Sequence, residues 1–239
     1  MKERIDKILA SKGLVSTRSQ AKSLIENGDV TVNGVVIKKA GELVDPEADI
    51  VVNAALFVGR GALKLEEALK KFNVTVKDKV FLDVGASTGG FTEILLNNGA
   101  TKVYAIDVGH DQLAPKLRTD PRVINLEGTN IRELTTLPEL ADGAVMDLSF
   151  ISITKVLEAV GNLLKPGADL IALVKPQFEA GIDRLPKDGV IKDAKVQQAV
   201  LKEVVTFAKG QGWIHHQDID SPIEGKSGNK EFLSWFTKA

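Results

Sequence analysis

The spacing of apolar positions near the N-terminus predicts a small unit made of two helices and a β-hairpin. Thr17 and Gln20 form the T-x-x-Q capping box that opens the second helix. Asn33-Gly34 is a tight-turn dipeptide between two alternating apolar segments, which is typical of a hairpin. Residues 49–52 predict one more short strand, so we expect a small α+β domain over residues 1–55.

The rest of the chain has the pattern of a larger α/β domain. A glycine-containing linker is expected at 56–62, and the second domain over 63–239. From Val80 onward, apolar segments of strand length alternate with segments of helical period. This alternation predicts a Rossmann-like, mostly parallel sheet of seven strands with helices on both faces. The predicted strands are 80–84, 102–106, 122–126, 143–147, 169–174, 213–219 and 230–236, and the predicted helices are 89–98, 110–117, 152–164 and 194–210.

Composition excludes several classes of protein. The chain contains no cysteine, so it has no disulfide and no cysteine-based zinc site. His215 and His216 are adjacent on a predicted strand and would point to opposite faces, and we expect no metal site. No apolar segment is long enough for a signal peptide or a membrane span, so we expect a cytoplasmic protein with no membrane partner.

Charge is unevenly distributed although the net charge of the chain is only −1. Between Met1 and Ala40, eight basic residues stand against four acidic ones. A basic lobe of this kind suits phosphate binding, and it suits a solvated surface equally well. If the lobe binds RNA, the residues expected to contact it are Arg4, Lys12, Arg18 and Lys22.

The segment after the first strand of the large domain has the features of a nucleoside-cofactor loop. Its D-x-G-x-x-x-G-G pattern lacks the second glycine of a dinucleotide fingerprint and the lysine of a P-loop. Asp83 would repel a pyrophosphate but suits the cationic amino group of a methionine moiety. Asp107 ends the next strand, where a carboxylate can bond ribose hydroxyls. The pattern therefore favours S-adenosylmethionine (SAM) over NAD, and over an unliganded glycine-rich turn.

The predicted cofactor-binding residues lie in this loop and at the neighbouring strand ends. Asn130 follows the third strand and suits either the adenine edge or an ordinary polar loop. The full set is Asp83, Gly85, Ala86, Ser87, Thr88, Gly89, Gly90, Phe91, Asp107, Asn130 and Asp147.

Four charged residues are candidates for the chemistry. Asp147 and Lys175 each end a buried apolar strand, beside the predicted cofactor loop. Lys64 borders the apolar stripe of a helix that precedes the sheet. Glu231 is expected on the last strand, with the parity of Leu233 and Trp235, on an inward face. Taken alone, Asp147 and Lys175 would suit a structural role as well as a catalytic one, and Lys64 and Glu231 would each more often be structural.

Long motifs along the chain resemble the TlyA family of bacterial "hemolysin-like" rRNA 2′-O-methyltransferases. These motifs are RGALKL (60–65), LDVGASTGGFTEILL (82–96), AIDVGHDQLA (105–114), DPRV (120–123), DLSFIS (147–152), LVKPQFEAG (173–181) and SPIEGKSGNKEFLSWF (221–236). The N-terminal segment RIDKILASKGLVSTRSQAKSLIENGDVTVNG resembles the RNA-binding domain named after ribosomal protein S4.

The resemblance implies a class I SAM methyltransferase domain similar to FtsJ-type enzymes, which use a Lys-Asp-Lys-Glu tetrad. The positions that match this tetrad are Lys64, Asp147, Lys175 and Glu231. A lysine beside a ribose hydroxyl can orient it or accept its proton, and alignment with the methyl donor supplies much of the acceleration.

The resemblance also implies the substrate, a ribose of rRNA in a ribosomal subunit. Longer members of the family continue with a further helix and act on both subunits. The few residues after Trp235 therefore predict a cytidine of large-subunit (23S) rRNA as the target. Two alternatives remain at this stage: a non-catalytic RNA-binding protein and a membrane-lytic hemolysin.

Overall fold

The computed structural model describes residues 2–15, 17–52, 57–225 and 227–239. The chain divides into two compact units, Met1–Phe57 and Val58–Ala239. Parts of two predicted segments lie outside the described residues: 53–55 at the end of the first predicted domain, and Leu56 at the start of the predicted linker.

The first unit contains the predicted helices and hairpin. Thr17 Oγ1 accepts a hydrogen bond from Gln20 N at 3.1 Å, which confirms the predicted helix start. Asn33 and Gly34 both have positive φ, as a tight hairpin turn requires. The elements are β1 (Glu3–Arg4), α1 (Ile5–Ser11), α2 (Arg18–Asn27), β2 (Val30–Val32), β3 (Val35–Ile37), β4 (Leu43–Val44) and β5 (Ile50–Val52).

Burial of one apolar face from each helix holds this unit together. Ile5 and Leu9 of α1 and Ile25 of α2 are fully buried, and they pack with Val30 of β2. Strand β2 lies between β3 and β5 in an antiparallel sheet. The short β1–β4 pair was not predicted, because two-residue strands leave no periodic signal in the sequence.

The second unit is the predicted α/β domain. Its strands are β6 (Val80–Val84), β7 (Lys102–Asp107), β8 (Val123–Glu127), β9 (Ala141–Met146), β10 (Leu164–Val174), β11 (Trp213–Asp220) and β12 (Phe232–Lys238). Its helices are α3 (Gly61–Lys71), α4 (Gly90–Asn97), α5 (Pro115–Arg118), α6 (Leu157–Asn162), α7 (Pro176–Glu179) and α8 (Ala194–Gly210), with 3₁₀ turns at Ile153–Lys155 and Ile182–Arg184.

Among the described residues these strands form one seven-stranded sheet in the order β11-β12-β10-β9-β6-β7-β8. The pairs from β10 to β8 are parallel, and β12 runs antiparallel to both of its neighbours. The predicted fold class, a mostly parallel Rossmann-like sheet, is therefore confirmed. The parallel strands bring their carboxyl ends to one edge of the sheet, where ligands of this architecture bind.

Two predicted helices differ from the observed ones. Of the helix predicted at 110–117, only α5 forms, because Glu127 Oε1 accepts from the backbone N–H groups of Gln112 and Leu113. Those amides cannot then join a helical ladder, and the helix starts at Pro115. The helix predicted at 152–164 is broken at Val156, whose φ of −124° lies outside the helical range.

Within the part of the chain that is described, no helix is both long enough and apolar enough to cross a membrane.

Candidate active site at the carboxyl edge of the sheet

Strand register brings three predicted site residues side by side at the carboxyl edge. Val84 pairs with Ile106 on one side and with Met146 on the other. The next residues along these strands, Gly85, Asp107 and Asp147, therefore lie next to each other where the strands end. A cavity of about 650 Å³ opens at this edge, and Gly85, Asp147 and Lys175 are among its lining residues.

Glu231 reaches the same edge because β12 is antiparallel. Phe232, the first residue of β12, pairs with Val174, the last residue of β10. The residues just outside this pair, Glu231 and Lys175, are thus neighbours at the cavity. Glu231 lies just before β12, whereas the sequence predicted it within the last strand. The adjacent residues Phe232 and Leu233 are both buried, so the alternation of residues along this strand does not identify an inward face.

The structure brings the four charged candidates into direct contact. Lys64 Nζ donates to Glu231 Oε2 at 2.7 Å and lies 3.6 Å from Asp147 Oδ2. Lys175 Nζ lies 2.6 Å from Asp147 Oδ1. Asp147 therefore bridges the two lysines, one with each carboxylate oxygen.

Burial gives this cluster its electrostatic character. The side chains of Lys64, Lys175 and Glu231 are all at least nine-tenths buried, and Asp147 is the most exposed member at 20%. Two ammonium and two carboxylate groups balance each other, as buried charges require. Because Asp147 is open to the cavity, a ligand there meets a preorganised and electrically neutral set of donors and acceptors.

Lys175 also contacts residues of the next loop. Its Nζ donates to Ser149 Oγ at 3.0 Å and lies 5.8 Å from the centroid of the Phe178 ring. Phe150 is 91% exposed and packs against Phe178 with ring centroids 5.1 Å apart. No spacing or charge pattern in the sequence singled out Ser149, Phe150 or Phe178, although each lies in a motif that carried the family resemblance.

The glycines of the predicted cofactor loop are required by close backbone contacts. Gly85 has a φ of +86°, and a Cβ there would lie 2.6 Å from the backbone oxygen of Asp147. A Cβ on Gly90 would lie 2.9 Å from Ala62 N. Helix α4 starts directly after Gly89, so the loop exposes backbone N–H groups at a helix N-terminus. The loop residues that line the cavity are Gly85, Ala86, Ser87, Thr88, Gly90 and Phe91.

A second cavity of about 310 Å³ adjoins the first and shares Gly85, Ser87, Asp147, Ser149 and Phe150 with it. Asp107 lines this second cavity. One Asp107 oxygen accepts from Ser87 N and the other from Gly109 N, each at 2.8 Å. This carboxylate thus links the glycine loop to the next loop and stands at the wall of a nucleoside-sized cavity.

Three predicted cofactor residues, Asp83, Gly89 and Asn130, do not line either cavity. Asp83 is fully buried beneath the loop, where Thr92 Oγ1 donates to its Oδ2 at 2.6 Å. Burial raises the pKa of Asp83 to about 7, and its Oδ1 has no hydrogen-bond partner among the described residues. Asn130 holds a turn, accepting from Arg132 N and donating to Glu133. Its neighbours Thr129 and Ile131 line the second cavity instead.

The predicted RNA contacts of the first unit are all on its surface, but they differ in their partners. Arg4 and Arg18 both donate to Asp6, at 3.0 and 2.8 Å, and hold the pKa of this carboxyl well below its usual range. Lys22 lies 3.7 Å from Glu26, and Lys12 is exposed. The two arginines therefore stabilise the unit as well as carrying charge.

In the described part of the chain, no group of three or more His, Asp or Glu residues is arranged to hold a metal ion.

The second unit has a mostly parallel seven-stranded sheet with an antiparallel β12, a glycine loop after β6 and an acidic residue at the end of β7. These features define a Rossmann-like methyltransferase. The family model for FtsJ-like methyltransferases matches residues 57–238, and the model for the S4 domain matches residues 3–50. The chain therefore belongs to the FtsJ-like methyltransferase family, with an S4 domain at its N-terminus.

Individual relatives match nearly the whole chain. Bacillus subtilis YqxC, whose name assigns it provisionally to the rRNA methyltransferases, is 47% identical over 97% of this chain and 84% of its own length. The 16S/23S rRNA (cytidine-2′-O)-methyltransferase TlyA of Mycobacterium tuberculosis is 43% identical over 97% and 88%. A solved structure of a hemolysin-named protein from Streptococcus thermophilus is 41% identical, covers 100% of this chain and 89% of its own, and has a TM-score of 0.78.

Proposed function

We propose that this protein transfers a methyl group from SAM to the ribose 2′-hydroxyl of a cytidine in 23S rRNA. The observation that carries the proposal is the contact between Asp147 and both lysines at the cavity, 2.6 Å from Lys175 and 3.6 Å from Lys64. The site is built to handle a hydroxyl group because it offers ammonium and carboxylate groups. The Mycobacterium tuberculosis relative, which is named as a 16S/23S rRNA (cytidine-2′-O)-methyltransferase, supports a cytidine ribose of rRNA as the substrate.

The residues present fit SAM. Asp107, at the wall of the second cavity, would hold the ribose hydroxyls of the adenosine, with Val108 and Ile131 beside it. The loop Gly85–Phe91 would hold the methionine portion, since its glycines leave room for close approach. When bound, SAM supplies an electrophilic methyl group on a sulfonium sulfur. Asp83 would not contact SAM directly; it would support the loop from beneath through its hydrogen bond with Thr92.

The chain's own residues supply the proton chemistry. Lys175 must first release its proton to water; as the free amine it would then accept the proton of the 2′-hydroxyl, while bound SAM would supply the methyl group to that oxygen. The ammonium that results is paired with Asp147 at 2.6 Å. Lys64 lies 3.6 Å from the other Asp147 oxygen and is itself paired with Glu231, so the cluster with both lysines protonated has no net charge. The products are the 2′-O-methyl ether, S-adenosylhomocysteine and a protonated lysine that returns its proton to water.

The first unit fits a role in substrate binding. S4 domains are named after a ribosomal protein, and the exposed basic groups of this unit suit RNA phosphates. Phe150 at the rim of the cavity adds an exposed ring on which an unstacked base can lie. An rRNA substrate also implies that the protein acts in the cytoplasm, on a ribosomal subunit.

The test is methyl transfer in vitro followed by mapping of the product. The purified protein is incubated with tritiated SAM and with 30S or 50S subunits from cells that lack the enzyme, and the rRNA is mapped by mass spectrometry. We expect one cytidine of 23S rRNA to gain a 2′-O-methyl group. Label in 16S rRNA alone would contradict the choice of subunit. No label in either rRNA, with SAM bound, would favour the non-catalytic RNA-binding alternative.

A further inference from the structure

The loop 148–152, between β9 and the following 3₁₀ turn, is held in an unfavourable conformation next to the proposed reaction site. Its Ser149 and Phe150 line both cavities. Phe150 has a φ of +64°, a left-handed conformation that is unfavourable for a bulky residue. Its side chain is 91% exposed, so burial of that ring does not offset the cost. Contacts elsewhere in the loop must therefore hold it.

Glu179 supplies those contacts at the far end of the loop. Its Oε2 accepts from Ser152 Oγ at 2.5 Å and its Oε1 accepts from Ile153 N at 2.9 Å. Burial raises the pKa of the Glu179 carboxyl, and the two hydrogen bonds oppose that rise. A mostly buried carboxylate with both oxygens used is a rigid anchor, because losing either donor would leave it unsatisfied.

The same residue belongs to the segment that carries Lys175. Helix α7 starts at Pro176, directly after Lys175, and ends at Glu179. At the near end of the loop, Ser149 Oγ accepts from Lys175 Nζ at 3.0 Å. The loop and the lysine segment are therefore tied together twice, once by Glu179 and once by the lysine itself.

We propose that Glu179 is a positioning residue for methyl transfer: it holds loop 148–152 so that Ser149 Oγ accepts one N–H of Lys175. Asp147 takes another N–H of the same nitrogen, so the direction left for the substrate hydroxyl is set by two fixed partners. Glu179 lines neither cavity, and it acts only through Ser149. This inference rests on the proposed function.

A double-mutant cycle in the full-length protein tests this coupling. Glu179→Ala, Ser149→Ala and the double variant are compared for kcat and KM in methyl transfer to 50S subunits. Each single change should lower kcat by about tenfold, because small misplacements of a catalytic group are costly, while KM for SAM stays within about twofold. The double variant should be no slower than the worse single variant, because both changes break one path.

Further variants separate positioning from stability. Glu179→Gln should recover most of kcat, because its amide oxygen can accept from Ile153 N and the Ser152 hydroxyl can turn to accept from its NH₂ group. Ser152→Ala removes one of the two donors and serves if Glu179→Ala does not fold. Glu139→Gln is the matched control: it removes an ion pair with Lys102, at the start of β7 and so at the opposite edge of the sheet, and should change neither constant.

The possible results are distinct. If the wild-type protein methylates rRNA but the two single losses multiply to about a hundredfold in the double variant, Glu179 does not act through Ser149 and this inference is overturned alone. The inference is also overturned if kcat follows melting temperature across the variants. A wild-type protein that methylates no rRNA would overturn the proposed function, and this inference with it.

Discussion

Lys64 Nζ lies 2.7 Å from Glu231 Oε2, although 167 positions separate the two residues in the chain. Both side chains are at least nine-tenths buried. A buried ion pair is costly to break, because the remaining charge loses its partner while it stays shielded from water. The pair therefore affects stability as well as chemistry, and the two effects can be measured separately.

Glu231→Gln should destabilise the protein by about 3 kcal/mol, near the lower end for a broken buried pair, since Lys64 keeps a longer contact with Asp147. Urea unfolding measures this loss. The double variant Lys64→Met with Glu231→Leu should recover most of the stability and still transfer no methyl group. Activity in the double variant would show that the pair serves the fold alone.

Lys175→Ala should abolish methyl transfer, with a loss of at least about a hundredfold in kcat, and leave cofactor binding nearly intact. The reason is that the proposed mechanism places the lysine at the reacting hydroxyl, and Lys175 does not line the cavity proposed for the nucleoside. Tritiated-methyl incorporation into 50S subunits measures the rate, and calorimetry with S-adenosylhomocysteine measures binding. A rate close to that of the wild type would exclude Lys175 as the proton acceptor.

Asp107→Ala should weaken SAM binding by about 1.5–3 kcal/mol, the usual value of hydrogen bonds to a charged group. It also removes the acceptor for Ser87 N and Gly109 N. Asp111→Asn is the control, because this exposed carboxylate on the same loop pairs with Arg118 and neither residue lines a cavity. Equal calorimetric affinities for the wild type and the Asp107 variant would place the ribose elsewhere.

Lys12→Gln with Lys22→Gln should weaken rRNA binding and lower the slope of log K against log salt by about 1.5, from two lost phosphate contacts. These lysines are chosen because Arg4 and Arg18 also hold Asp6, so changing the arginines would disturb the fold. Binding is measured with an rRNA fragment over a range of salt concentrations. Lys70→Gln with Lys71→Gln on α3 is the charge-matched control, and an equal change in both slopes would contradict a specific role for the first unit.

Asp83 should make the protein less stable as pH rises from about 4 to 7. Its pKa is raised from 3.8 to about 7 in the folded state, mainly by burial, so its stabilising contribution is complete below 3.8 and is lost as pH rises through the folded value. The loss is about 1.4 kcal/mol per pH unit within this window. Urea unfolding of Asp83→Asn should show a flatter pH profile than the wild type, and parallel profiles would contradict the shift.

Local features of this protein were predictable from its sequence, because they depend on residues close together in the chain. The alternation of apolar segments predicted the seven strands of the large domain to within a few residues at most boundaries. The Thr17 cap and the Asn33-Gly34 turn have the predicted conformations. The glycine pattern of 85–90 predicted a tight loop, and Gly85 and Gly89 have positive φ there. Backbone preference and hydrophobic period carry this information.

Tertiary structure decided which side chains meet. The antiparallel course of β12 brings Glu231 to Lys64 and places it opposite Lys175, a consequence of register that no local pattern contains. Glu127, on β8, accepts hydrogen bonds from the backbone N–H groups of Gln112 and Leu113. Most of the helix predicted at 110–117 therefore does not form. The contacts of Glu179 with Ser152 and Ile153 also join segments that are far apart in the chain. Contacts of this kind form only when the sheet assembles, because hydrogen bonding and charge neutralisation of buried groups depend on partners that folding brings together.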